Sequence, residues 1–139
     1  MFKRILMAYD GSEHSKRAAK IAGDLARMQN QAELWLVCVM EMIPVEPGKA
    51  YVQEMINDRT HAGEAFIKQA RELIGENIPI HDTLLFGSPA EHILTTAKDN
   101  KCDLIVMGTR GLSVLEGLLL GSQVHKVINH AKCPVLAVK

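Results

Sequence analysis

Residues 3–28 read KRILMAYDGSEHSKRAAKIAGDLARM, and the change of pattern inside this stretch decides the fold. Residues 3–9 form a short apolar run that Asp10 and Gly11 break. A run of that length bounded by turn residues suits a buried strand. From Ser12 onward Ala18, Ile21, Ala22 and Leu25 recur at steps of three and four. That spacing predicts an amphipathic helix over 12–29, with Ser12 as its N-cap.

The same alternation continues to the last residue. AELWLVCVM (32–40) reads as a second buried strand, and the prolines and glycine of 43–48 read as a loop. A long helix follows over about 50–75. Val52, Met55, Ile56, Ala62, Phe66, Ala70 and Leu73 lie on its apolar side; Gly63 weakens it, and Gly75 stops it. Residues 79–86 form strand three. In the next helix Ser88 caps, Pro89 takes the first position, and Glu91 completes a capping box. Residues 102–107 are strand four. The helix over 122–131 carries Val124, Val127 and Ile128 on one face, and 134–139 are strand five. Short apolar strands alternating with helices predict an α/β fold: an open, five-stranded parallel sheet with helices on both faces and right-handed crossovers. A length of 139 residues fits a single domain spanning 1–139.

Composition narrows the function. The 16 basic and 16 acidic side chains balance to zero net charge, which argues against a nucleic-acid or anionic-membrane binder. Aromatics at 4% are too few for a base-stacking platform. The first apolar run ends at Asp10, too short for a secretory signal. The longest apolar stretch, LWLVCVM (34–40), is far below a membrane span. The expectation is a soluble, cytoplasmic protein. Cys38, Cys102 and Cys133 show no C-x-x-C spacing and read as small buried hydrophobes. His81, His92, His125 and His130 are scattered, without metal-site spacing.

In open parallel sheets, ligands sit beyond the carboxyl ends of the strands where strand order reverses. Two strand ends carry unusual chemistry: YDGSE (9–13) and GTRG (108–111). The second opens GTRGLSVLEGLLLGS (108–122), with spacing G-x2-G-x9-G-S. Gly121 and Ser122 directly precede a helix, whose free N–H groups and partial positive charge favour an anion. Gly121 lets the backbone approach that anion, and Ser122 offers a hydroxyl to a phosphate oxygen. Gly108 and Gly111 let the chain turn sharply off strand four, close to a sugar or phosphate. The stretch lacks the lysine of a Walker-type loop, and DGSEHS lacks a G-x-G-x-x-G fingerprint. Spacing alone leaves two readings open: a phosphate cradle, or glycines that only make turns and a helix cap. Asp10 is likewise a ligand contact or a turn residue, and Arg110 a site cation or a solvated charge. The leucines at 112, 115 and 118–120 read as packed cover.

The whole chain resembles the universal stress protein family. ILMAYDGSEHSKRA, FGSPAEHIL and DLIVMGTRGLSVLEGLLLGSQVHKVINHAKCPVLAVK carry the likeness. The glycine-serine pattern resembles that of the ATP-binding branch. The resemblance implies a Rossmann-like sheet of order 3-2-1-4-5, which makes strands one and four neighbours. It also implies ATP as ligand, with or without Mg²⁺, and a homodimer built through the last strand. By position it places Asp10 on the adenine and ribose side, with Ala8 and Tyr9 lining the pocket. It places the Val39 backbone at adenine and Met107 and Gly108 at ribose. Arg110 and Gly111 open the phosphate loop; Gly121, Ser122 and Gln123 close it. One departure stands out: Val124 occupies a place where many ATP-binding members have a second hydroxyl. The preferred expectation is an ATP-dependent regulatory switch with little or no hydrolysis. The alternatives are a slow ATP-hydrolysing or phosphotransfer enzyme, and a nucleotide-free dimeric scaffold.

Overall fold

The computed structural model describes residues 1–42, 44, 46, 48, 51–111 and 119–139. Its elements run β1 (Arg4–Ala8), α1 (Glu13–Met28), β2 (Glu33–Met40), α2 (Tyr51–Ile74), β3 (Ile80–Phe86), α3 (Pro89–Asp99), β4 (Leu104–Gly108), α4 (Ser122–His130) and β5 (Val135–Val138). The strands form one parallel sheet of order β3-β2-β1-β4-β5. Central β1 and β4 are buried almost throughout, as strands covered on both faces must be.

Two apolar layers flank the sheet. α1 and α2 pack on one face, joining Ala18, Ala22, Ala70 and Ile74 to Ile5, Met7, Leu34 and Leu36. α3 and α4 pack on the other, joining Ile93, Val124 and Val127 to Leu6, Val37 and Ile105. Among the described residues no helix is long and apolar enough to cross a membrane.

The helices sit where the spacing placed them, but their inner faces differ. α1 buries small residues, Ser15, Ala18, Ala19, Ala22, Gly23 and Ala26, and leaves Ile21 37% exposed. Small side chains bring the helix axis close to sheet and neighbour, so the larger aliphatic is displaced to the rim. α2 buries Gly63, Ala70 and Ile74, whereas Ala62 and Ile56 face outward. Gly63 contributes to packing: a Cβ there would stand 2.4 Å from Leu84 Cδ1. In α4 the inward pair is Val124 and Val127, and Ile128 is exposed.

Three of the helix-end expectations have direct geometry. Ser12 caps α1, its Oγ accepting the Ser15 N–H at 3.2 Å. Gly75 follows α2 at φ +88° and donates its N–H to Arg71 O, as a left-handed helix stop requires. The capping box at α3 is corrected. Ser88 occupies the N-cap, but its side chain makes no cap hydrogen bond. Gln123 Oε1, from α4, accepts the Ala90 N–H at 2.9 Å instead.

The cysteines lie in the core or at its margin. Burial pushes the Cys38 thiol up to about 11 and Cys102 to about 12. Both therefore stay protonated and weakly nucleophilic near neutral pH.

Candidate functional site

β1 pairs with β2 on one side and β4 on the other, so strand order reverses between β1 and β4. Beyond the carboxyl ends of these strands lies a cavity of about 310 Å³, a size typical of small-molecule sites. All eleven residues singled out in the sequence line it. Ala8, Tyr9 and Asp10 come from the end of β1, and Val39 from β2. Met107, Gly108, Arg110 and Gly111 come from the end of β4, and Gly121, Ser122 and Gln123 from the start of α4.

Gly121 is the N-cap of α4, with no side-chain cap. Its N–H donates to Thr109 O at 2.7 Å, and its carbonyl accepts the His125 N–H. Among the described residues nothing accepts the N–H groups of Ser122, Gln123 and Val124. A first turn with free donors at a cavity wall can take an anion. The Gln123 side chain caps α3 through Oε1, which leaves its Nε2 as the donor end. Val124 is 3% exposed and packs in the α3–α4 layer, so the position that lacks a hydroxyl is a core position.

The glycines at the end of β4 flank a bend at Thr109 and Arg110, and both also serve close approach. A Cβ at Gly108 would stand 2.7 Å from His14 Cβ and 2.9 Å from the Ser15 backbone nitrogen. Gly108 therefore lets the first turn of α1 lie against β4. A Cβ at Gly111 would stand 2.6 Å from Asp10 Oδ2, so Gly111 brings the two strand ends together. Neither glycine has a positive φ. Asp10 does form the turn, its Oδ1 accepting the Ser12 N–H at 2.9 Å, while it also lines the cavity.

The sequence reading missed several lining residues, chiefly Arg59 and Phe66 of α2. They are seven positions apart, two helical turns, and so share one face; that spacing was the available signal. The Phe66 ring meets Tyr9 edge-on at 6.2 Å. The Tyr9 hydroxyl hydrogen-bonds Gln69 Oε1. Burial, with the Asp10 charge adding to it, pushes the Tyr9 phenol up to about 12. Arg59 donates to Glu41 O, and the lining therefore holds Asp10, Glu41, Arg59 and Arg110. Arg110 lines the cavity, and its Nη2 lies 3.3 Å from His14 Nε2. His125 is exposed and contacts Asn129 on its own helix; it does not line the cavity. Leu119 is exposed, and Leu120 packs against the α3–α4 layer. Leu112, Leu115, Glu116, Gly117 and Leu118 lie outside the described residues.

The Universal stress protein family pattern matches residues 1–139. The chain belongs to the universal stress protein family. The "Universal stress protein in QAH/OAS sulfhydrylase 3'region" of Thermus aquaticus is 46% identical over 140 residues, covering 100% of both chains. Among solved universal stress proteins, UspA from Lactobacillus plantarum has a TM-score of 0.88 at 23% identity, covering 99% of this chain and 98% of its own, and shares the fold. A universal stress protein in complex with cAMP is 27% identical with a TM-score of 0.75, covering 99% of this chain and 97% of its own.

Proposed function

We propose that this universal stress protein binds ATP in the β1–β4 crevice and acts as a nucleotide-dependent regulatory switch. The observation that carries the reading is the start of α4, where the Ser122, Gln123 and Val124 N–H groups have no acceptor among the described residues and stand at the cavity wall. These donors, the Ser122 hydroxyl and Arg110 supply a phosphate end. Gly121 has no Cβ to obstruct it. At the other end Ala8, Tyr9 and Val39 give a partly apolar wall for a base. Met107 and Gly108 lie between, with Asp10 beside them as acceptor for a ribose. The cAMP complex of a relative supports an adenine nucleotide as the ligand class. Mg²⁺ would enter on the phosphates, as it does where only one or two carboxylates are offered; Asp10 and Glu41 are the carboxylates of the lining among the described residues.

Turnover is expected to be slow. Hydrolysis needs an oriented water and cationic stabilisation of the γ-phosphoryl group. Asp10 is engaged in its turn, and His125 faces its own helix. We also infer a homodimer through β5. This strand lies at the sheet edge, and Leu136 on it is 37% exposed; unpaired edges invite a partner strand. Val138, on the same strand, is buried in the α1 layer.

The test is direct. The purified chain is denatured and the supernatant analysed for released nucleotide, and the refolded chain is titrated with ATP in a calorimeter. Adenine nucleotide in the supernatant and saturable heat are expected. No nucleotide and no heat would instead favour the dimeric scaffold.

A further inference from the structure

We propose that His14 is a positioning residue that holds Arg110 toward the phosphate end of the crevice, and does so only as a neutral imidazole. The inference rests on the nucleotide reading above.

His14 lies in the first turn of α1, against the Gly108 backbone that the absent Cβ opens to it. Its Nδ1 lies 2.9 Å from Thr109 Oγ1, and its Nε2 lies 3.3 Å from Arg110 Nη2. A guanidinium has donors only, so Nε2 is the acceptor and carries no proton. The ring proton is then on Nδ1, donated to Thr109 Oγ1.

Thr109 is a rigid anchor for that bond. It is 5% exposed, its N–H donates to Val138 O at 2.8 Å, and its carbonyl accepts the Gly121 N–H at 2.7 Å. One residue thus ties together the ends of β4 and β5 and the start of α4. Arg110 lines the cavity, whereas His14 does not; His14 acts through Arg110.

A proton on Nε2 removes the acceptor and sets an imidazolium against a guanidinium. Imidazole is the side chain that makes such a change between about pH 5 and 8. Among the described residues the charged groups at the adjoining ends of the surrounding elements are Arg110 after β4, Asp10 after β1, Glu13, Lys16 and Arg17 on α1, and Lys139 after β5. Glu13 turns to Lys16, and Arg17 turns to the Lys139 backbone oxygen. Among the described residues Arg110 is the charged group in hydrogen-bond contact with the ring. Arg110 lines the cavity and His14 does not, so we set the imidazolium's attraction for phosphate, which falls with distance, below the loss of the guanidinium's orientation. Acidification therefore weakens binding.

ATP affinity is measured at pH 8 and pH 5.5 for the wild type, His14→Gln, His14→Ala, Arg110→Ala and the His14→Ala/Arg110→Ala double variant. The phosphates of ATP titrate in the same window, and His14→Gln, which keeps an acceptor near the Nε2 position but no titration, removes that common contribution. On acidification the wild type should lose about two- to tenfold more affinity than His14→Gln. His14→Ala should weaken binding at pH 8 by a similar factor and cause no further loss in the Arg110→Ala background. Nitrogen-15 NMR of the ring at pH 8, without nucleotide, should show the Nδ1–H tautomer. An Nε2–H tautomer, superimposable wild-type and His14→Gln profiles, or additive losses in the double variant would each overturn the inference while ATP binding stands. A wild type that binds no adenine nucleotide overturns the nucleotide reading, and this one with it.

Discussion

Gln123 Oε1 accepts the Ala90 N–H at 2.9 Å, so α4 caps the helix before it. Ala90 is 2% exposed, and water cannot readily replace the lost acceptor. Gln123→Ala should destabilise the fold by about 1 kcal/mol, lowering the melting temperature by a few degrees. Ser88→Ala, whose side chain makes no cap bond, should change it much less. Thermal melts of the two variants make the comparison, and equal losses would return the cap to Ser88.

At the phosphate end, Ser122→Ala should weaken ATP by about ten- to a hundredfold, the range of a charge-assisted hydrogen bond. Gly121→Val should do worse without unfolding the chain. A Cβ at Gly121 stands 3.4 Å from Arg110 Cα, an ordinary contact, so the added methyls burden the ligand path more than the protein. Calorimetric titration beside a circular-dichroism spectrum separates affinity from folding. Unchanged affinity in both variants would leave these residues as a turn and a cap.

ATP at a hundred times its dissociation constant should stabilise the fold by about 2.7 kcal/mol. Phosphate release should stay well below about one per second, the low end of ordinary enzymes. His125→Ala should alter neither, because His125 contacts Asn129 and not the cavity. Steady release above that rate, lost in His125→Ala or Asp10→Asn, would make the protein an ATPase.

The edge of β5 has a definite polarity. Pro134 and Val138 direct their carbonyls at Ile105 and Thr109 of the β4 side, so by alternation the backbone groups of Val135 and Ala137 point to the open edge. Ala137→Pro removes an outward N–H and leaves the ladder to β4 intact. It should convert a dimer to a monomer in sedimentation velocity without changing the helix signal. Leu136→Pro is a poorer probe, since the Leu136 N–H points inward.

Stability should fall on the alkaline side. Burial raises Tyr9 to about 12 and Cys38 to about 11, from ordinary values of 10.0 and 9.0. The native state holds these protons more tightly than the unfolded chain. Their contribution is therefore full below the unfolded values and is lost as pH rises through the native ones. Urea midpoints should drop between about pH 9 and 12, and drop less steeply in Cys38→Ala. A flat profile across that window would mean that these groups are not protected by the fold.

The order of strands and helices was legible before any contact was known, because strand and helix periods are local properties of neighbouring side chains. KRILMAY ends at Asp10 and the helical spacing begins at Ser12 within a few residues, and β1 and α1 follow that break. The G-x2-G-x9-G-S spacing likewise marked a helix start that needed no Cβ. What the sequence left undecided involves residues far apart along the chain. Gly108 looked like a turn glycine, and only the packing of α1 showed that it makes room for His14. Ser88 and Glu91 had the spacing of a capping box, but Gln123 was closer to the Ala90 N–H once α3 and α4 lay side by side. Arg59 and Phe66 belong to a helix that no motif marked, and they line the cavity because α2 packs beside α1 on one face of the sheet. Local pattern fixes which elements form, whereas the contacts of a side chain depend on which elements the sheet brings together, and that is settled by burying both faces of the sheet at once.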